Sequence, residues 1–323
     1  MKLMNTIKTL YIRVLFIGVI VLVSVNLNAQ EFKKTATAGF TFLELPASAR
    51  TAALGEASIA LSDINSDAVF QNPAALGYSN QKHSFSVSYA PWLADIKHYT
   101  MSYSYESPYG IIGIGVIMLD YGSMPRTTVG GGQKVFNILG DFNANSLAVG
   151  LSYSRRLTDK FSFGVTLKYA EEKIDIYKAS NILFDGGVLY YTGLSSLRIA
   201  MSIQNFGVDA KFINDEFKMP SVLRLGAAME LFGDMESEYR VTLVMEALHP
   251  NDTDERLNIG GEVSWLNMIT FRGGYKFFCD EESYSAGFGI NPKLSYPINF
   301  DFAYSDYGRL GDVSRFTIQL GVL

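Results

Sequence analysis

The sequence predicts an all-β protein: a transmembrane antiparallel β-barrel of about 14 strands, preceded by a short, partly helical plug segment. Three observations carry this expectation. From Ser84 onward, apolar and small or polar side chains alternate with period two, most clearly in Phe161, Phe163, Val165, Leu167 and Tyr169 against Ser162, Gly164, Thr166 and Lys168. Successive strand side chains point to opposite faces, so one face is wholly apolar. The second face is small, with occasional charges of both signs, along Ser146, Ala148, Gly150, Ser152 and Ser154 and along Gly260, Glu262 and Ser264. That composition suits a crowded, wet lumen rather than a water-facing sheet, and it turns the apolar face toward lipid. Third, the segments count to fourteen, an even number, and their connections alternate short and long, as in outer-membrane barrels.

The elements follow in order. Lys2, Lys8 and Arg13 precede an apolar run of twelve residues from Val14 to Val25, and Ala29 then Gln30 offers a cleavage point. This reads as a secretory signal peptide over residues 1–29, cut near Ala29, since the run is short of the roughly 20 residues a spanning helix needs. Residues 30–81 do not alternate and form a plug or periplasmic segment. Within them Ser48 to Leu61 has helical spacing in parts, broken at Gly55. In Gln71-Asn72-Pro73-Ala74-Ala75-Leu76-Gly77, Asn72 can cap a turn that starts at Pro73, passes through Ala74 and ends at Gly77. Its expected role is structural, the Asn satisfying orphan amides.

Residues 82–323 form the barrel. Strands are expected near 82–91, 96–107, 110–128, 141–157, 160–174, 180–192, 196–205, 219–232, 237–248, 255–266, 269–279, 282–290, 296–306 and 313–323. Short turns follow strands two, four and six; longer polar links over 127–140, 175–179, 206–218 and 249–254 follow strands three, five, seven and nine and are expected outside the cell.

Composition narrows the function. With 48% of residues hydrophobic and 18% charged, the chain is too apolar for disorder. A net charge of −5 argues against nucleic acid. The single Cys279 excludes an internal disulfide. No apolar run after residue 30 reaches the length of a membrane helix, so a membrane location requires a closed sheet, the only other way to satisfy every backbone amide in lipid.

Chemistry of the enzymatic kind is not signalled. His83, His98 and His249 cluster with nothing at metal-ligand spacing, and no metal or cofactor is expected. The acidic runs 251–255 and 280–282 read as solvated loops. Gly130-Gly131-Gly132 lacks the ending of a phosphate loop. Charges recurring on the small face, Arg198, Arg224, Glu230, Arg240, Glu246, Glu262, Arg272 and Asp301 with Lys168 and Lys276, are expected to line the lumen as ion pairs. Candidate partner-binding positions lie outside: Pro91, Trp92 and Leu93 at the first hairpin, and Val129, Phe136 and Phe142 in the third link, with Trp92 equally suited to a girdle at the headgroups.

The run Phe42-Leu43-Glu44-Leu45-Pro46-Ala47-Ser48-Ala49-Arg50, then Ala53-Leu54-Gly55-Glu56-Ala57, then Asn72-Pro73-Ala74, resembles the N-terminal signature of the PorV/PorQ family of type IX secretion outer-membrane proteins. Further matches run through Leu151 to Leu157, Phe161 to Tyr169, Asn205-Phe206-Gly207 and Arg272-Gly273-Gly274-Tyr275. Gln71, where relatives carry an aromatic, and the terminal Leu323 depart from the pattern. The resemblance implies a non-enzymatic outer-membrane barrel that binds secreted cargo proteins by their C-terminal signal domains, together with components of the type IX translocon. The family is in turn similar to the FadL group, which implies the alternative of a channel for hydrophobic small molecules.

Overall fold

The computed structural model describes residues 37–130, 135–292, 294 and 296–322. The signal peptide, its cut near Ala29, the start of the plug segment, most of the Gly130-Gly131-Gly132 run and Leu323 lie outside the described residues. The strands are β1 (His83–Pro91), β2 (Lys97–Ser107), β3 (Gly110–Val129), β4 (Phe136–Thr158), β5 (Phe161–Ile174), β6 (Tyr177–Tyr191), β7 (Arg198–Phe206), β8 (Ala210–Phe212), β9 (Asp215–Phe217), β10 (Val222–Phe232), β11 (Tyr239–Pro250), β12 (Arg256–Trp265), β13 (Ile269–Phe277), β14 (Tyr284–Ile290), β15 (Ile298–Asp306) and β16 (Asp312–Val322). All but β8 and β9 form one closed antiparallel barrel of fourteen strands, each paired with its neighbour in sequence.

Closure comes from β1 against β16, with His83 opposite Val322 and Tyr89 opposite Phe316. The period-two pattern explains the wall. Along β2 the exposed Tyr99, Met101 and Tyr103 face outward while His98, Thr100, Ser102 and Ser104 are buried. Exposed Leu151 and Leu167, Ile199 and Met201, and Phe316, Ile318 and Leu320 continue the outer apolar band. Such a surface is stable only against lipid, and the closed sheet leaves no unpaired edge within it.

Three segments differ from the sequence expectation. The link after strand five, expected to be long over 175–179, is the two-residue turn of Asp175 and Ile176 between the paired Ile174 and Tyr177, because the pairing of β5 and β6 continues to their ends. The link after strand three is not a loop: β3 and β4 stay paired out to Val129 opposite Phe136, making a hairpin that outruns its neighbours. Register shifts between Asp120 and Ser123 and between Pro125 and Thr127 hide it from a period-two reading, since each bulge resets the alternation and accommodates Pro125. The link after strand seven likewise contains the small β8–β9 hairpin.

The lumen differs too. It is filled by residues 38–81, which form short helical turns (Thr41–Glu44, Ala49–Ala53, Asn65–Asp67, Ala68–Gln71 and Pro73–Tyr78) joined by irregular chain. Its core packs Leu54, Ile59, Leu61, Ile64, Val69 and Leu76 against Ile111, Leu189 and Val244 of the wall. The small residues of the inner face therefore admit a packed plug rather than a wet channel. An ideal Cβ on Gly164 would lie 2.3 Å from the Pro73 carbonyl carbon, and one on Gly274 would lie 2.1 Å from the Gly55 nitrogen. Helical spacing in 48–61 yields only Ala49–Ala53, capped by Ser48 accepting from the Thr51 amide and ended before Gly55, whose φ of 62° is left-handed.

Candidate functional site: the plug and the cavity at the loop end

The turn around Asn72 is seated against both the plug and the wall. Asn72 is wholly buried and caps Pro73–Tyr78 by accepting from the Ala74 amide at 3.0 Å. Its Nδ2 donates to the Ile59 carbonyl of the plug at 3.0 Å and to the Val188 carbonyl of β6 at 3.2 Å. Pro73 occupies the first position of the turn, where a missing N–H costs nothing. The Ala74 carbonyl accepts from Ser162 at 2.8 Å and Ser154 at 3.4 Å, both on the wall. Gln204 donates to the Gln71 carbonyl and Gln71 accepts from Arg224 at 3.1 Å, so Gln71 holds the turn by hydrogen bonds where an aromatic would hold it by packing.

Lumen charges form the second set of attachments. Arg198 and Glu230 make a two-pronged pair at 2.8 and 2.9 Å with both side chains at 0% exposure, and Arg198 Nε donates to the Ala60 carbonyl of the plug. Arg224 meets Glu246 at 2.6 Å, while the other oxygen of Glu246 accepts from the Ser58 and Ile59 amides. Glu262 gathers Arg240, Arg272 and the plug's Arg50, and Arg272 reaches Asp301 at 2.5 Å. Lys168 pairs with Asp185 and Lys276 with Glu56 of the plug. Sequence reasoning finds the wall half of this network by its alternation but misses Arg50, Glu56 and Asp63, which lie where no period marks them; Asp63 pairs with both Arg50 and Arg240.

Between the plug and the loop end of the barrel lies a cavity of about 50 Å³. Leu43, Leu45, Pro46 and Ala47 of the plug form one side; Val69 and Phe70 form the floor; Ile117, Ala148, Val222 and Leu248 form the wall. Polar side chains complete the lining, among them Glu44, Glu56, Gln71, Lys168, Gln204, Arg224 and Arg256, so the cavity is apolar on one side and polar on the other. Burial, and after it the Asp252 carboxylate, push the Glu44 carboxyl up to about 7. The start of the plug is tied to the β8–β9 hairpin: Gly39 donates to the Lys218 carbonyl at 3.1 Å and Phe40 stacks on Phe217 at 5.9 Å. At the opposite, turn end, a polar space of about 560 Å³ opens among Arg50, Asp63, Arg240, Asn267, Asn291 and Asp301.

The expected external positions separate. Pro91 is exposed, but Trp92 and Leu93 pack against Ala90, Tyr307 and Val313, with the Trp92 ring edge-on to Tyr307 at 5.1 Å. Trp92 is thus engaged within the barrel mouth, not free as a lone exposed anchor. Val129 (91% exposed) and Phe136 stand at the tip of the β3–β4 hairpin, and Phe142 is half-buried at its base. Among the described residues no cluster of metal-ligating side chains occurs.

No protein-family model matches the chain, and no curated protein sequence matches it. Solved structures do. The toluene transporter TbuX of Ralstonia pickettii is 16% identical with a TM-score of 0.58, over 84% of this chain and 96% of that one. The toluene transporter TodX of Pseudomonas putida gives 13% and 0.55 over 84% and 96%, and a FadL homologue of Pseudomonas aeruginosa gives 10% and 0.52 over 84% and 97%. The fold is that of the FadL-type outer-membrane barrels: fourteen antiparallel strands closed around a plug formed by the chain that precedes them.

Proposed function

We propose that the protein is a non-enzymatic channel of the outer membrane that admits small hydrophobic solutes, with the cavity at the loop end as their first binding site. The reading rests on one observation above all: a cavity with an apolar side built from Leu43, Leu45, Val69, Phe70, Ile117 and Leu248 lies between the plug and the loop end of a barrel whose fold is shared with toluene transporters. The longer connections at this end make it the external one. At about 50 Å³ the cavity is well below the roughly 150 Å³ that holds benzene. Entry of a solute therefore requires the Phe40–Ala47 stretch to shift, and its contacts with the β8–β9 hairpin are where an external event can act. The test is uptake of a radiolabelled alkyl aromatic by cells whose lipopolysaccharide leaflet blocks free entry. A deletion strain should lose uptake and regain it with the intact gene; equal uptake in both strains rejects the reading.

One observation favours a second reading, a PorV/PorQ-type barrel that binds secreted cargo and translocon components. The β3–β4 hairpin exposes Val129, Val135 and Phe136 well beyond the barrel wall, an apolar tip suited to a protein partner. On this reading, deletion traps proteins bearing the C-terminal signal domain in the periplasm, and normal surface display rejects it.

A further inference from the structure

Arg315 differs from the ion-paired cations of the lumen. Arg198, Arg224, Arg240, Arg272, Lys168 and Lys276 each meet a carboxylate. Arg315, 1% exposed, makes no ion pair among the described residues; it meets the Nδ1 of His98 at 3.0 Å and the face of Trp92 at 5.9 Å, and Tyr307 lies within electrostatic reach.

Small side chains stand beside Arg315 in the sheet. Ala90 pairs with His98 on one side, and continuing the register beyond Tyr89 and Phe316 sets Ala90 beside Arg315 on the other. Ala303 is the neighbour across β15. Two alanines, both essentially unexposed, thus neighbour Arg315 in a row running across four strands.

Donor logic fixes what this row lacks. Arginine only donates, so His98 Nδ1 must accept from Nη1, which leaves the imidazole neutral with its proton on Nε2. Arg315 Nε, Arg315 Nη2 and His98 Nε2 are all buried and without a protein partner. Each of them is a donor. Three unmet donors around a buried positive charge, whose nearest carboxylate influence is a Glu56 already paired with Lys276, call for an acceptor that carries negative charge, because a buried cation without a direct one is costly.

We propose that Arg315 and His98 form a site for a small monovalent anion, a halide or an ion of formate size, beneath Trp92 at the loop end of the barrel. The site is distinct from the apolar cavity, and it stands whether or not the protein carries hydrophobic solutes.

Trp92 is the reporter. The chain has two tryptophans, so Trp265→Phe leaves Trp92 alone against the guanidinium. Chloride or formate, titrated into the purified full-length barrel in detergent against gluconate at constant ionic strength, should change its emission saturably, and gluconate, too bulky for the site, should not. Arg315→Met should weaken the apparent affinity at least tenfold, whereas Arg126→Met, on the remote β3–β4 hairpin, should leave it unchanged. An equal response to gluconate means that water alone meets the donors and overturns the proposal, as does an unaltered affinity in Arg315→Met. Because Arg315→Met can fail to fold, anomalous scattering from bromide-soaked crystals of the unaltered protein gives a second reading. A peak within hydrogen-bond distance of the Arg315 guanidinium is expected, and none there contradicts the site.

Discussion

Asn72 and Val188 are joined by a 3.2 Å hydrogen bond from the plug's carboxamide to a barrel-strand carbonyl, and the same nitrogen holds Ile59 at 3.0 Å. One side chain thus caps its own turn, ties two parts of the plug together and fastens both to β6. Replacing it with alanine removes three hydrogen bonds and leaves buried partners unmet, each costing about 1–3 kcal/mol. Asn72→Ala should lower the temperature at which the folded barrel loses its fast migration on a detergent gel, while Ser79→Ala, at the half-buried end of the same turn, should change it little.

Gly187 is the counterpart of Asn72 in the wall, since an ideal Cβ there would sit 2.0 Å from Asn72 Oδ1. Gly187→Val should therefore expel the turn without touching the barrel's strand pairing. In planar bilayers the variant is expected to conduct ions steadily where the unaltered protein stays closed. Equal, low conductance in both would mean that the plug closes the lumen without this contact.

The Arg198–Glu230 pair is wholly buried, so removing one partner strands a charge. Arg198→Met alone should cost roughly 3–5 kcal/mol, whereas Arg198→Met with Glu230→Leu should recover most of that loss. Urea unfolding of the refolded barrel in detergent measures both.

These charges also show how far the sequence could be read. The period-two pattern reveals the wall and its inward Arg and Glu, because a strand puts every second residue on one face. It cannot reveal what fills the barrel. Gly164, Gly187 and Gly274 look like the lining of a wet pore until the plug backbone is seen against them. The Asn72 turn is legible from its cap chemistry, but its attachment to Val188 joins residues more than a hundred positions apart with no local signature. The packing of Trp92 is hidden for the same reason: its partners Tyr307 and Arg315 arrive from the other end of the chain.

Plug docking should respond to pH through Glu44 and Asp67. Burial is the main cause in both, raising Glu44 to about 7 and Asp67 to about 6 from ordinary values of 4.5 and 3.8. The docked plug then binds more protons than the released one, so docking weakens as pH rises across about 4 to 7. Burial would raise Glu56 as well, but Lys276 holds it below its usual value, so docking also weakens under strong acid. A spin label at Thr41→Cys, in a Cys279→Ser background, should gain mobility between pH 5 and about 7, and Glu44→Gln should flatten that rise.

A hydrophobic solute that binds between the plug and the wall is detectable by equilibrium binding. Ala148 is buried and faces the cavity, so Ala148→Phe fills it from the wall side. Calorimetric titration of the purified barrel with an alkyl aromatic should show saturable binding in the unaltered protein and at least a tenfold weaker affinity in Ala148→Phe. No saturable binding, or equal affinity in a properly folded Ala148→Phe, would contradict the account.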